Sequence, residues 1–260
     1  MSAAPRRLTL TAAEWSVLVT DRLVDPPPAF APVPVSPADR DGAVASLTEA
    51  RVVGAADGGT AQPVPPVAAD LAVLSSPLLT VRMEVSGRAG ERQGWFALGP
   101  GVVVGVLTTP DGGVELSLAP AVRLGAELAR AVPEAPEVTG PWPPEEEASD
   151  GVPLTGRVPL ALLEDRPLPG AADEDLALVR ELERRTAGSL SCLVLGRVGT
   201  DVGAGQVSWL ATDAGWVGLR PRLDGSPRRT VDLVPVEPAD LGTWVAPTVA
   251  ALLEADDERL

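Results

Sequence analysis

The chain of 260 residues contains no histidine, lysine, isoleucine, asparagine or tyrosine, and it has a single cysteine. Without histidine there is no Ser-His-Asp triad, no Cys-His pair and no histidine-bearing zinc motif. Without lysine, Schiff-base chemistry and the phosphate-binding P-loop are excluded. No side chain has an unperturbed pKa near neutrality. Cys192 cannot form an internal disulfide, and in the apolar run LSCLVLG it reads as a small buried hydrophobe. The longest strongly apolar run, GVVVGVL (101–107), is far too short to span a bilayer. The start, MSAAPRRLTLTAAEW, lacks the apolar core of a signal peptide because Glu14 interrupts it. A reducing cytoplasm is therefore the expected location. Aromatic residues make up only 3%, so Leu, Val and Ala must fill the core. The net charge of −15, with every cation an arginine, disfavours nucleic acid and anionic membrane surfaces as partners.

What is present is a sequence that says one thing twice. WFALGPGVVVGVL (95–107) realigns on WLATDAGWVGLR (209–220), with Trp95–Gly101 and Trp209–Gly215 at equal spacing. Asp111-Gly112 falls where Asp224-Gly225 falls, Pro120 where Pro238 falls, and Leu124-Gly125 where Leu241-Gly242 falls. So long a period indicates a duplicated half, not a solenoid or a propeller. The expectation is a single domain over 1–260 made of two pseudo-repeats, about 8–132 and 153–255. A Pro- and Glu-rich linker, 133–152, joins them, and its Glu145–Glu147 run reads as solvated.

Each half reads as helices, about four antiparallel strands and a closing helix. Thr11 and Glu14 form a capping box, and Ser36-Pro37 opens a second helix. Leu79, Val81, Met83 and Val85 alternate with polar residues as a half-buried strand does. SGRAGERQG (86–94) reads as a polar hairpin loop, followed by strands near 94–98, 102–108 and 114–118 and a helix over 121–132. In the second half, helices are expected at 158–164 and 172–186 and strands near 189–198, 206–211, 215–220 and 229–234. The last helix, Pro238 to Glu254, carries Leu241, Trp244, Val245, Val249, Leu252 and Leu253 on one side.

No catalytic constellation emerges. Asp173, Glu174 and Asp175 suit the first turn of a helix better than a metal site. Gly196 to Gly205 resembles a phosphate loop, but it joins two antiparallel strands and so faces no helix N-terminus. Asp213 reads as a turn-stabilising carboxylate. Trp95 and Trp209, at matching strand positions, read as core, and Trp244 as core or as an interface anchor.

The stretch VSWLATDAGWVGLRPRLDGSPRRTVDLVPVEPADLGTWVAPTVAALL (207–253) resembles the EspG family, the ESX (type VII) secretion-associated proteins of actinobacteria. LTLTAAEWSVLV (8–19) is similar to that family's opening strand and helix, and VAADLAVLSSPLLTVRMEV (67–85) to its helix before the second strand. The chain departs from the family where Thr212 precedes Asp213 and where Trp216 stands in place of Arg. The resemblance implies an α+β, quasi-two-fold fold, with a central antiparallel sheet flanked by helical bundles. It implies a cytosolic, non-enzymatic chaperone without cofactor or metal that holds PE–PPE-like or WXG100-like substrates. It also points to the 86–94 loop and the closing helix as the binding surface, with Arg88, Glu91 and Arg92 on its rim and Leu241 or Trp244 as apolar acceptor. Two other readings stand beside it. One is a scaffold or regulator that dimerises through an exposed sheet edge. The other is an enzyme using carboxylates alone, with Asp213, Asp224 or Glu84 in acid–base roles.

Overall fold

A computed structural model describes residues 6–20, 24–54, 61–141, 154–164, 166, 168–198, 200–222 and 229–257. The first half runs β1 (Arg6–Leu10), α1 (Ala12–Val19), α2 (Pro37–Glu49), β2 (Val53–Gly54), β3 (Gln62–Pro63), α3 (Pro65–Ser75), β4 (Leu79–Gly87), β5 (Gly90–Gly99), β6 (Val102–Thr108), β7 (Val114–Pro120), α4 (Leu124–Ala131) and α5 (Ala135–Thr139). The second runs β8 (Gly156–Pro159), α6 (Leu160–Leu163), α7 (Asp173–Arg185), β9 (Thr186–Val198), β10 (Asp201–Thr212), β11 (Gly215–Pro221), β12 (Thr230–Val236) and α8 (Leu241–Asp257).

Apart from the small β2–β3 pair, the strands form one ten-stranded antiparallel sheet, in the order β1-β7-β6-β5-β4-β9-β10-β11-β12-β8. The order reads inward through the first half and outward through the second. The halves meet where β4 pairs with β9, and the middle of that register is Met83 opposite Cys192. The fold is therefore α+β and quasi-two-fold, and each half ends in a helix laid on the same side of the sheet.

That side holds one continuous core. Leu79, Val81, Met83 and Val85 of β4, Leu190, Cys192 and Val194 of β9, and Trp209 of β10 pack under α4, α5 and α8. Helix α8 lies close because β9 and β10 give it glycines. A Cβ on Gly205 would stand 2.4 Å from the Thr248 side chain, and one on Gly203 2.3 Å from Leu252. The glycine-rich stretch is thus a β9–β10 hairpin, and its missing side chains make room for a helix. Gly218 admits the Trp244 ring in the same way.

The opposite side carries two separate cores. In the first half, α1 and α3 press Trp15, Leu18, Leu71 and Leu74 onto Trp95, Ala97, Val104 and Leu116. In the second, α7 presses Val179 and Leu182 onto Val158, Val217 and Leu233. Consecutive arginines clamp the edge strand β1 to both sides: Arg6 pairs with buried Asp70 of α3, and Arg7 with buried Glu127 of α4 at 2.9 Å.

Trp95 and Trp209 are both buried, but on opposite sides of the sheet. Gly99 pairs with Val102 and Thr212 with Gly215 across their hairpins, so the structural match is Phe96 with Trp209. The sequence alignment is one residue out of register there, and a one-residue slip exchanges faces.

Candidate partner-binding surface

The polar segment 86–94 is not an extended loop. β4 continues to Gly87 and β5 begins at Gly90, leaving only the turn Arg88–Ala89. That turn is tied down, since the Arg88 amide donates to the Ala187 carbonyl at 3.3 Å and the Ala89 amide to the Val138 carbonyl at 3.2 Å. Strand alternation puts Glu91, opposite Ser86, on the side away from α8, and Arg92, opposite Val85, on the α8 side. Both residues nonetheless border a cavity of about 360 Å³ on the α4–α5 side, with Thr108, Pro133 and Glu137.

Leu241 is 0% exposed within the core. The Trp244 ring meets Trp209 edge-on, with centroids 5.9 Å apart, and carries the Arg220 guanidinium 4.5 Å above it. Leu241 thus belongs to the interior under α8 and Trp244 packs half-buried at its margin, while the Arg88, Glu91 and Arg92 side chains diverge over two faces. The five do not converge on one surface.

A different surface stands open. Between the two helical bundles, the sheet face of β4, β9 and β10 carries side chains that, apart from half-buried Leu210, which packs against the second bundle's core, belong to neither bundle core. Strand registers place them in rows. At the Arg88 end, Ser86, Ser189 and Leu210 lie abreast, followed by Glu84, Ser191 and Ser208. The middle row is Arg82, Leu193 and Gln206. Beyond it come Thr80, Leu195 and Ala204, and last Arg197 beside Val202. Leu78, one residue before β4, falls on the same face by alternation. Hydroxyls and amide interlock at the first end: Ser86 Oγ and Ser189 Oγ are 3.2 Å apart, and Gln206 Nε2 donates to Ser191 Oγ at 3.1 Å. Half-buried Leu160, Leu162, Leu163, Leu178 and Leu219 line the second bundle's flank.

The carboxylates singled out for acid–base chemistry do not meet. Asp213 is held by Arg185 of α7 in a buried pair at 2.7 Å, with side chains 8% and 5% exposed. Glu84 stands exposed on the open face, and Asp224 lies outside the described residues. Burial pushes the Cys192 thiol up to about 12, so it stays protonated and unreactive. Among the described residues no three Cys, Asp or Glu side chains gather as metal ligands, and no helix is long and apolar enough to cross a membrane.

No family model matches the sequence, and no curated protein matches it. Among solved structures, the chain is similar to the Mycobacterium tuberculosis type VII secretion system chaperone EspG5, solved in complex with a PE25–PPE41 dimer. The match covers 95% of this chain and 97% of that one, with a TM-score of 0.58 and 14% identity. Nearly the whole length of each chain takes part, so the likeness embraces the central sheet and both bundles: the protein carries the EspG fold.

Proposed function

We propose that the protein is a non-enzymatic chaperone of type VII secretion that holds a PE–PPE-like protein pair on the open sheet face between its bundles. The observation that carries this reading is the fold shared, almost end to end, with a chaperone solved with its PE–PPE dimer bound. The uncovered strip on β4, β9 and β10 supports it. A sheet of ten strands normally covers its faces with helices, and a broad strip left bare at its centre is a place for another molecule to complete the layer. Glu91 and Arg88 stand at one end of that strip and are proposed as rim contacts. The protein would act in the cytosol, where the substrate pair waits before export.

The test is co-expression of the tagged full-length chain with PE–PPE-type pairs encoded in its own genome. Stable co-elution of at least one pair on gel filtration, with a higher soluble yield of that pair, is expected. Failure to retain any such pair would overturn the reading.

A further inference from the structure

The open strip is not uniform along its length. At the Arg88 end its floor is hydroxyl-rich, with Ser86, Ser189, Ser191 and Ser208, and carries the carboxylates Glu84 and Glu91. At the other end the floor is apolar. Leu193 and Leu195 are half-buried, Ala204 is exposed, and Leu78 and Val202 are 43% and 72% exposed. Two of the large hydrophobics left most exposed in the described chain thus share this one patch.

The exposed guanidiniums of Arg82, in the middle row, and Arg197, in the last row, bracket this apolar floor, and among the described residues neither has an ion pair. Glu84, the carboxylate nearest them on this face of β4, lies toward the hydroxyl end. In a chain of net charge −15, the patch is a local reversal of sign on an apolar ground.

The width of the strip selects the shape of the occupant. At this end β5 sends Trp95 and Ala97 into the first bundle core, and β10 runs on past its ladder with β11, which spans Ser208 to Thr212. The floor here is the three strands β4, β9 and β10. With strands about 4.8 Å apart, the outer two lie roughly 10 Å from each other, which matches the ~10–12 Å diameter of a single α-helix.

We propose that this end of the strip takes an amphipathic helix of the client, with an apolar ridge set on Leu193, Leu195 and Val202 and carboxylates placed against Arg82 and Arg197. This rests on the chaperone reading for the client's identity, but its chemistry can be tested separately. Desolvated leucine contacts would supply the affinity, and the two arginines would discriminate against basic helices.

The experiment uses three labelled helical peptides of equal length that share one leucine ridge, with flanking positions all Glu, all Gln or all Lys. Each is titrated into the full chain by fluorescence anisotropy at low and high salt. The Glu peptide is expected to bind about five- to tenfold tighter than the Gln peptide, with the margin shrinking in salt. The Lys peptide should be weakest, although the protein's overall charge attracts it. R82E/R197E should reverse the order, and Leu195→Asp should abolish Glu-peptide binding. R82E/R197E changes exposed side chains and should melt close to the parent, and Leu195→Asp, at a half-buried position on the open face, is scored only if its melting curve remains cooperative. Equal or tighter binding of the Gln or Lys peptide, or no binding by any of the three, overturns the proposal. A PE–PPE pair retained undiminished by R82E/R197E also overturns it while leaving the chaperone reading intact. Glu-peptide preference with no pair retained does the opposite.

Discussion

Gly242 of α8 rests against Gly125 of α4 so closely that a Cβ on Gly242 would stand 2.6 Å from the Gly125 Cα. These are the two glycines that the sequence repeat pairs with each other, and they meet where the closing helices of the two halves cross. A methyl group there has only backbone to displace. Gly242→Ala should therefore destabilise the protein by about 1–3 kcal/mol, the range for overpacking, which outweighs the gain of up to ~1 kcal/mol from replacing a helical glycine. Gly42 in α2 is the control, because a Cβ there meets nothing within 4 Å. Gly42→Ala should raise stability by about 0.5–1 kcal/mol. Urea unfolding of both variants checks the pair of signs.

The Arg185–Asp213 pair fastens the end of α7 to the β10–β11 turn. Asp213→Ala leaves a guanidinium that is 5% exposed without its main partner. The expected cost is about 3–5 kcal/mol, as for breaking other buried pairs. Replacing both residues by apolar ones, as in R185M/D213A, should cost clearly less than the single change. Equal losses would show that the pair itself, and not the orphaned charge, dominates.

Glu14 ties α1 to α2. Burial acts to raise its pKa, but hydrogen bonds from Ser46 Oγ at 2.6 Å and from the Thr11 amide at 2.7 Å outweigh it and hold the carboxyl below its usual range. A carboxylate with a lowered folded pKa stabilises fully above its unfolded value and loses that contribution as pH falls through the folded one. Glu14→Gln should thus melt below the parent at neutral pH, and the gap should close in acid. Asp70 has the opposite sign: burial raises its pKa against the pull of Arg6, so its contribution declines as pH climbs through the folded value. A gap for Glu14→Gln that stays constant with pH would contradict this assignment.

Cys192, with its thiol near 12 and no exposed surface, should resist thiol reagents in the native protein and react stoichiometrically once unfolded. Fast labelling under native conditions would mean that the β4–β9 seam opens.

Much of the fold was legible in the chain because local chemistry and tertiary fate agree. Thr11 and Glu14 form the expected capping box, and Pro37 follows its cap Ser36 at the start of α2. Leu241, Val245 and Leu252 of α8 face the core, with Trp244, Val249 and Leu253 packed against it. The open strip was not legible. Its polar side chains, such as Glu91 and Gln93 on β5, sit on a sheet face left bare by helices distant in sequence, so a strand with one wet side read as a loop. In β9 the wet side holds Leu193 and Leu195 as well as Ser189 and Ser191, and apolar residues on both faces hide which one is covered. The Trp95–Trp209 match failed for another reason: equal spacing aligns residue types but cannot detect a one-residue offset between hairpins.

The seam between β4 and β9 also governs the order of events on the ribosome. Chains are made from the N-terminus at about 5–20 residues per second, and neighbouring elements can fold as they emerge. The first half can assemble β1 and β4 to β7 at once, yet β4 then presents an unpaired edge, with Leu79, Val81, Met83 and Val85 facing a core whose other wall, α8, is translated after β9 to β12. The nascent protein passes through an interval in which it is itself adhesive. Premature termination anywhere before β9 would strand the chain there, as a bare strand and a half-built core with no partner of its own to close them.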